Sequence, residues 1–288
     1  MIPGTFEYHR PASIEEAVAL LAQHGDEGRV LAGGHSLIPM MKLRLAEPAH
    51  LIDLQDIQAL RGIREIEGAV EIGAMVTQHE LIESDLLARS CPILREAALL
   101  IADPQVRYCG TLGGNVANGD PGNDMPAVMQ SLGAIYALSG PNSTRSVAAR
   151  DFYEAAYFTA LGEGELVTAV TIPMPAAGHG YAYEKLKRKV GDYATAAAAV
   201  ILTMEVGSCS SAAIALTNLG QTPLYAEAAS QALVGTTLDE AAIAKAVELA
   251  EGVTEPVGDM RGPTDYRSHA GGVMVRRAIE RARDRADR

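Results

Sequence analysis

Two short segments hold the residue types best suited to chemistry in this chain: Ala32-Gly33-Gly34-His35-Ser36 and Thr111-Leu112-Gly113-Gly114-Asn115. Paired glycines let a backbone turn tightly and bring successive N–H groups onto one ligand, which suits the oxygens of a phosphate or pyrophosphate. Ser36, Thr111 and Asn115 add side-chain hydrogen-bonding groups beside those amides. Neither segment runs on into Gly-Lys-Ser/Thr, and neither is a GxGxxG following a first strand, so the mononucleotide P-loop and the nicotinamide fingerprint are both unsupported. A tight turn or helix cap explains one such loop alone. The second, however, continues into Asn118-Gly119-Asp120-Pro121-Gly122-Asn123-Asp124. A polar, glycine-dense stretch of that length inside an apolar chain points to a ligand.

Other candidates are sparser. Lys185, Lys187, Arg188 and Lys189 alternate along a segment with strand character, which gives either a solvated charged face or a cation held against a ligand. Tyr193 comes next, as a core tyrosine or as a ring packed on a planar group. His35 sits between the amides of the first loop, where the backbone does the binding and the imidazole reads as structural. Lys42 and Arg44 read as surface charge, or as contacts to phosphate or a partner. Cys91, Cys109 and Cys209 form no CxxC pair and are too few for an all-cysteine iron–sulfur cluster. The seven histidines include neither HExxH nor HxH, so no metal site is expected.

The whole chain must position these groups. Its 288 residues suggest about two domains, at roughly 150 residues each. An apolar fraction of 48% against 21% charged excludes global disorder. A net charge of −12 argues against a dedicated nucleic-acid binder, and the absence of Trp removes one stacking platform. No cleavable signal is expected at the N-terminus, and the apolar run over residues 193–204 is too short to span a bilayer. A soluble protein in a reducing cytoplasm is expected.

The first fifty residues read as β-α-β: a strand over 7–9, a helix opened by the capping box Ser13-Ile14-Glu15-Glu16, and a strand over 29–32 leading into the first glycine loop. A short helix over 37–45 and a strand over 51–54 come after it. Next are a β-pair (62–66 and 70–72), helices over 77–87 and 92–102, and an extended loop over 103–123. Strands over 134–138 and 166–172 lead to a Pro/Gly boundary at 173–180. Beyond it lie strands over 181–186, 197–205 and 212–216, then helices over 224–233, 238–251 and 266–285, the last ending in a solvated Arg-rich face. The class is α+β.

Three segments make the chain recognisable: AGGHSLIPMMKLRLAEP, TLGGNVANGDPGNDMPA and GYAYEKLKRKVGDYATAAAA. Together they resemble the FAD-binding medium subunits of the molybdenum hydroxylases, and within that family the branch serving aerobic carbon monoxide dehydrogenases. The resemblance covers essentially the whole chain. It implies a two-subdomain FAD-binding fold of the vanillyl-alcohol-oxidase type plus a C-terminal α+β domain, here divided as 1–56, 57–177 and 178–288. Carried over by motif, Ala32, Gly33, Gly34, His35 and Ser36, with Thr111, Leu112, Gly113, Gly114 and Asn115, would hold the pyrophosphate of FAD. Asp124 would be a polar contact to the flavin, Lys185 would lie near the isoalloxazine, and Tyr193 is a candidate to pack on it.

The resemblance further implies an iron–sulfur small subunit with [2Fe-2S] clusters and a large subunit with a molybdopterin-type molybdenum cofactor, assembled as a dimer of heterotrimers. This chain would be the output flavoprotein: electrons from CO + H2O going to CO2 would pass through FAD to a quinone-type acceptor. The complex would be cytoplasmic, with attachment at the inner face of the membrane. No substrate oxidation is expected from the isolated chain, which offers no nucleophile–base pair. The alternatives are a medium subunit of another molybdenum hydroxylase oxidising aldehydes, xanthines or N-heterocycles, a self-contained FAD oxidoreductase, or an assembly protein whose glycines are only turns.

Overall fold

The computed structural model describes residues 2–286. The chain opens with a parallel sheet of order β1-β3-β2, from β1 (Glu7–His9), β2 (Gly28–Leu31) and β3 (His50–Asp53). Helix α1 (Ile14–His24) connects β1 to β2, and α2 (Leu37–Lys42) lies between β2 and β3. Ser13 caps α1 by accepting from the Glu16 N–H, while the Glu16 carboxylate reaches back to the Ala12 N–H. Ala17, Val18 and Leu21 on α1 meet Ile52 and Leu54 in a small apolar core.

The second sheet is antiparallel, of order β4-β5-β10-β6-β7. Its strands are β4 (Ile63–Ile66), β5 (Ala69–Gly73), β6 (Ile135–Ser139) and β7 (Thr144–Ala148), then, after the hairpin β8 (Tyr153–Ala155) and β9 (Phe158–Thr159), β10 (Leu166–Pro173). Six helices fill the crossover from β5 to β6: α3 (Gln78–Glu83), α4 (Asp85–Ser90), α5 (Pro92–Leu100), α6 (Pro104–Cys109), α7 (Leu112–Ala117) and α8 (Asp124–Ser131). The single helix expected over 77–87 is broken at Ser84, which is extended (ψ 113°) and caps α4 through its hydroxyl. The extended loop expected over 103–123 contains α6 and α7, capped by Asp103 and Thr111. Each is only six residues long, too short to display a helical period.

The third sheet, β11-β12-β13-β14, is also antiparallel: β11 (Gly180–Leu186), β12 (Ala196–Glu205), β13 (Ser208–Thr217) and β14 (Leu224–Tyr225). Leu224 and Tyr225 extend this sheet, and the helix expected from 224 begins only at Glu227, as α9 (Glu227–Leu233). Helices α10 (Glu240–Glu251) and α11 (Thr264–Ala286) complete the described chain. The alanine run of β12 is what this layering needs. Ala197 and Ala199 join the core shared with α5 and α8, while Ala196, Ala198 and Val200 join the core beneath α9–α11. Side chains alternate along a strand, so small residues on both sides let helices approach both faces. At Gly180 an added Cβ would lie 2.1 Å from the Ala282 carbonyl oxygen, so α11 passes against bare strand backbone there.

Candidate functional site

The two glycine loops lie against each other. A Cβ at Gly33 would stand 2.3 Å from the Cys109 carbonyl oxygen and 2.7 Å from the Gly110 Cα, a contact only glycine allows. Gly34 has φ +73°, which turns the chain from β2 toward α2. The second loop is fixed from below: Leu112 N–H donates to the Val76 carbonyl, Gly113 N–H to Ala74 and Gln78 N–H to the Gly110 carbonyl.

The loops differ in one respect that sequence reading missed. In the second, the N–H groups of Leu112, Gly113, Gly114 and Asn115 are all taken by internal acceptors, the last two by the Thr111 side chain and carbonyl. In the first, the N–H groups of Gly33, Gly34, His35 and Ser36 have no acceptor among the described residues. Unpaired backbone donors seek a partner. The expectation that both loops offer amides is therefore corrected: the first supplies donors, while the second is a platform that keeps the Thr111 hydroxyl and the Asn115 side chain beside it.

Asn115 also anchors the start of α8. Its carbonyl accepts from Asn123 Nδ2 at 2.8 Å, and its side-chain oxygen from the Met125 N–H at 3.3 Å. That places Asp124 at the first position of the helix, where it accepts from the Tyr183 hydroxyl at 2.5 Å and the Lys185 ammonium at 2.8 Å. The ammonium also donates to the Leu100 carbonyl at 3.3 Å. Burial pushes the Asp124 carboxyl upward against the pull of Lys185 and Tyr183, and burial with the Asp124 charge drives the Tyr183 phenol well above its ordinary range. The solvated-face reading of Lys185 is overturned, since its side chain is 1% exposed. Sequence reading gave Asp124 and Lys185 separate contacts to a ligand; the structure makes them partners. Arg188, by contrast, stays at the surface and pairs with Asp192 at 3.1 Å.

Tyr193 is not a core tyrosine. It is 44% exposed, and a Cβ at Gly122 would lie 2.9 Å from its Cδ1, so the ring rests on the loop leading to Asp124. Two residues outside the sequence-based candidates hold this arrangement. Asn218, at φ +60°, takes the Pro121 carbonyl with its N–H and the Ala194 carbonyl with its side chain. Arg267 is buried and donates to the carbonyls of Thr195, Val257 and Asn218. Sequence reading singled out only the Arg-rich end of this helix, and nothing beside Arg267, in its first turn, marks it for burial. His35 is exposed, Lys42 is exposed, and Arg44 pairs with Glu47 at 3.1 Å on the surface.

Residues 4–175 match the family described as the FAD binding domain in molybdopterin dehydrogenase, and residues 181–282 the CO dehydrogenase flavoprotein C-terminal domain. The chain belongs to this family of FAD-binding flavoprotein subunits. Within it, the chain is 65% identical to the carbon monoxide dehydrogenase medium chain of Afipia carboxidovorans, over 99% of both sequences. It superposes with TM-score 0.98, at 50% identity and 99% coverage of each chain, on carbon monoxide dehydrogenase from Hydrogenophaga pseudoflava lacking the Mo-pyranopterin moiety of its molybdenum cofactor. Quinoline 2-oxidoreductase from Pseudomonas putida 86 is more distant, with TM-score 0.94 and 37% identity over 99% of each chain.

Proposed function

We propose that this chain is the FAD-carrying electron-transfer subunit of a carbon monoxide dehydrogenase. The reading rests on the free N–H groups of Gly33, Gly34, His35 and Ser36, set against a second glycine loop in a chain of this family. That donor set fits a pyrophosphate, since four backbone N–H groups in succession suit an anion and a side chain at Gly33 would close the contact between the loops.

In this reading the amides of the first loop bind the pyrophosphate, and the Thr111 hydroxyl and Asn115 amide add donors beside it. Leu112, Gly113 and Gly114 shape the platform. The Asp124–Lys185–Tyr183 network holds α8 and β11 at a fixed separation next to the site, and Tyr193 would offer its ring to pack on a planar group. FAD, when bound, supplies the capacity to take electrons from one-electron centres and pass them on. Asp124, already committed to two donors, orients its neighbours and moves no proton.

Substrate oxidation (CO + H2O to CO2, two protons and two electrons) belongs to a molybdenum large subunit, and the electrons reach this chain through an iron–sulfur small subunit. A quinone-type acceptor, a dimer of heterotrimers, a cytoplasmic location with attachment to the inner membrane face, and the division 1–56, 57–177 and 178–288 complete the proposal. Among the described residues no helix is long and apolar enough to cross a membrane.

The test is the assembled complex with and without FAD. Without FAD, carbon monoxide should still reduce the metal centres in a single turnover while steady-state transfer to the acceptor is lost. Oxidation of carbon monoxide by this chain alone would overturn the proposal. The likeness to quinoline 2-oxidoreductase supports a second reading, and the same complex reduced by an N-heterocycle but not by carbon monoxide would select it.

A further inference from the structure

Away from the glycine loops, three imidazoles converge at one end of the parallel sheet. His9 comes from β1, His24 from the last turn of α1 and His50 from the first position of β3. One ring nitrogen from each lies within 4.8 Å of the other two. His9 Nε2 is 3.1 Å from His50 Nδ1, and the rings of His24 and His50 stack with centroids 3.6 Å apart. The Nε2 atom of His24 is buried and has no hydrogen-bond partner among the described residues. A carboxylate oxygen of Glu7 stands 3.5 Å from His50 Nδ1. Strand pairing sets this up, because Glu7 and Gly28 flank His50 on its two sides. Gly28 leaves the space, since a Cβ there would lie 3.2 Å from the His24 Cβ.

Such a cluster is costly unless something uses it. A buried ring nitrogen without a partner loses its hydration uncompensated. Stacked imidazoles also repel once more than one carries a proton.

We propose that His9, His24 and His50 form a binding site for one divalent transition-metal ion, with the Glu7 carboxylate closing the fourth position. The donor set of imidazoles and one carboxylate selects zinc, copper(II) or nickel over magnesium or calcium. Zinc–nitrogen bonds of about 2.0–2.1 Å in a tetrahedron put ligand nitrogens ~3.3 Å apart. The His9–His50 separation of 3.1 Å already fits that spacing. The ion would then staple β1, the end of α1 and β3, three segments far apart in sequence. That separation hid the site from motif reading, which looks for ligands at short spacing.

The probe is Zn2+ titrated into the untagged full-length chain. The expected result is one ion per chain, with a dissociation constant of about 10 µM or tighter. His24→Ala and His50→Ala should each weaken binding by about tenfold or more, whereas His269→Ala, at an exposed histidine elsewhere, should not. Weaker binding by the wild type, or unchanged affinity in both triad variants, overturns the site. If the triad variants do not fold, zinc-edge X-ray absorption on the loaded wild type decides: a shell with three imidazoles sustains the proposal, and one with fewer rejects it.

Discussion

The Lys185 ammonium donates to the Asp124 carboxylate at 2.8 Å in surroundings that leave the two side chains 1% and 7% exposed. Opposite charges withdrawn from water this far depend on each other, and removing one strands the other. The Tyr183 hydroxyl on Asp124 completes a three-residue network between α8 and β11.

Lys185→Met should therefore destabilise the chain by about 3–5 kcal/mol, because a single hydrogen bond from Tyr183 remains for a buried carboxylate. Adding Asp124→Asn should restore part of the loss by removing the stranded charge. Urea denaturation of both variants measures this; a double variant no more stable than Lys185→Met would show that the pair is not coupled as its geometry indicates.

Gly33→Val should lower the FAD content of the purified chain or complex, because its Cβ would meet the Cys109 carbonyl oxygen at 2.3 Å and force the loops apart. Gly114→Ala meets the Thr111 hydroxyl oxygen at 2.9 Å and the Ala32 Cβ at an ordinary 3.5 Å, and should lose less flavin. Flavin absorbance per chain gives the order, and full occupancy in Gly33→Val would show that the loop contact is not needed to hold FAD.

Arg267→Lys should cost about 2–4 kcal/mol, since an ammonium cannot replace a planar fork spanning the Thr195, Val257 and Asn218 carbonyls. Thermal melting measures the loss. Protease cutting near Tyr193 should rise in parallel, because Thr195 and Asn218 lie at the two ends of the contacts that hold that segment. A variant as stable and as resistant as the wild type would refute the clamp.

Acid should act through Glu165. Its hydrogen bonds with Arg145 hold the carboxyl below the ordinary value of 4.5. A depressed carboxyl contributes stability above its unfolded value and loses it as pH falls through the folded one. The stability gap between wild type and Glu165→Gln should then stay constant from neutral pH down to about 5 and close below about 4.5. Melting curves across that range test it, and a gap that persists at low pH would assign the effect to packing.

Local signals carried much of this fold. The Ser13 cap, the β-α-β opening and the glycine loops were legible because caps, periodicity and turn residues act within a few positions, although Glu16 reaches back to the Ala12 N–H and not to that of Ser13. What stayed hidden depends on partners distant in sequence. Nothing beside Lys185 announces that Asp124 will take its charge. Nothing in the second glycine loop reveals that Ala74 and Val76 consume its amides. Arg267 stands near the start of the last helix with no signal beside it for burial, yet it is 3% exposed. The three histidines share no motif and meet only when β1 and β3 pair.

Glu96 on α5 accepts from Arg285 on α11 at 2.8 Å, across 189 positions, while its other oxygen takes the Tyr183 N–H. A ribosome delivers these partners in strict order, so α5 leaves the exit tunnel long before its cation is made. Until α11 emerges, the nascent chain keeps Ala182, Ala198 and Leu202 without Val275, Ala278 and Ile279, the residues that share their core. Contacts this distant close late. Between synthesis of β12 and of α11 the growing polypeptide then carries an uncovered apolar face, which invites aggregation and the help of a chaperone.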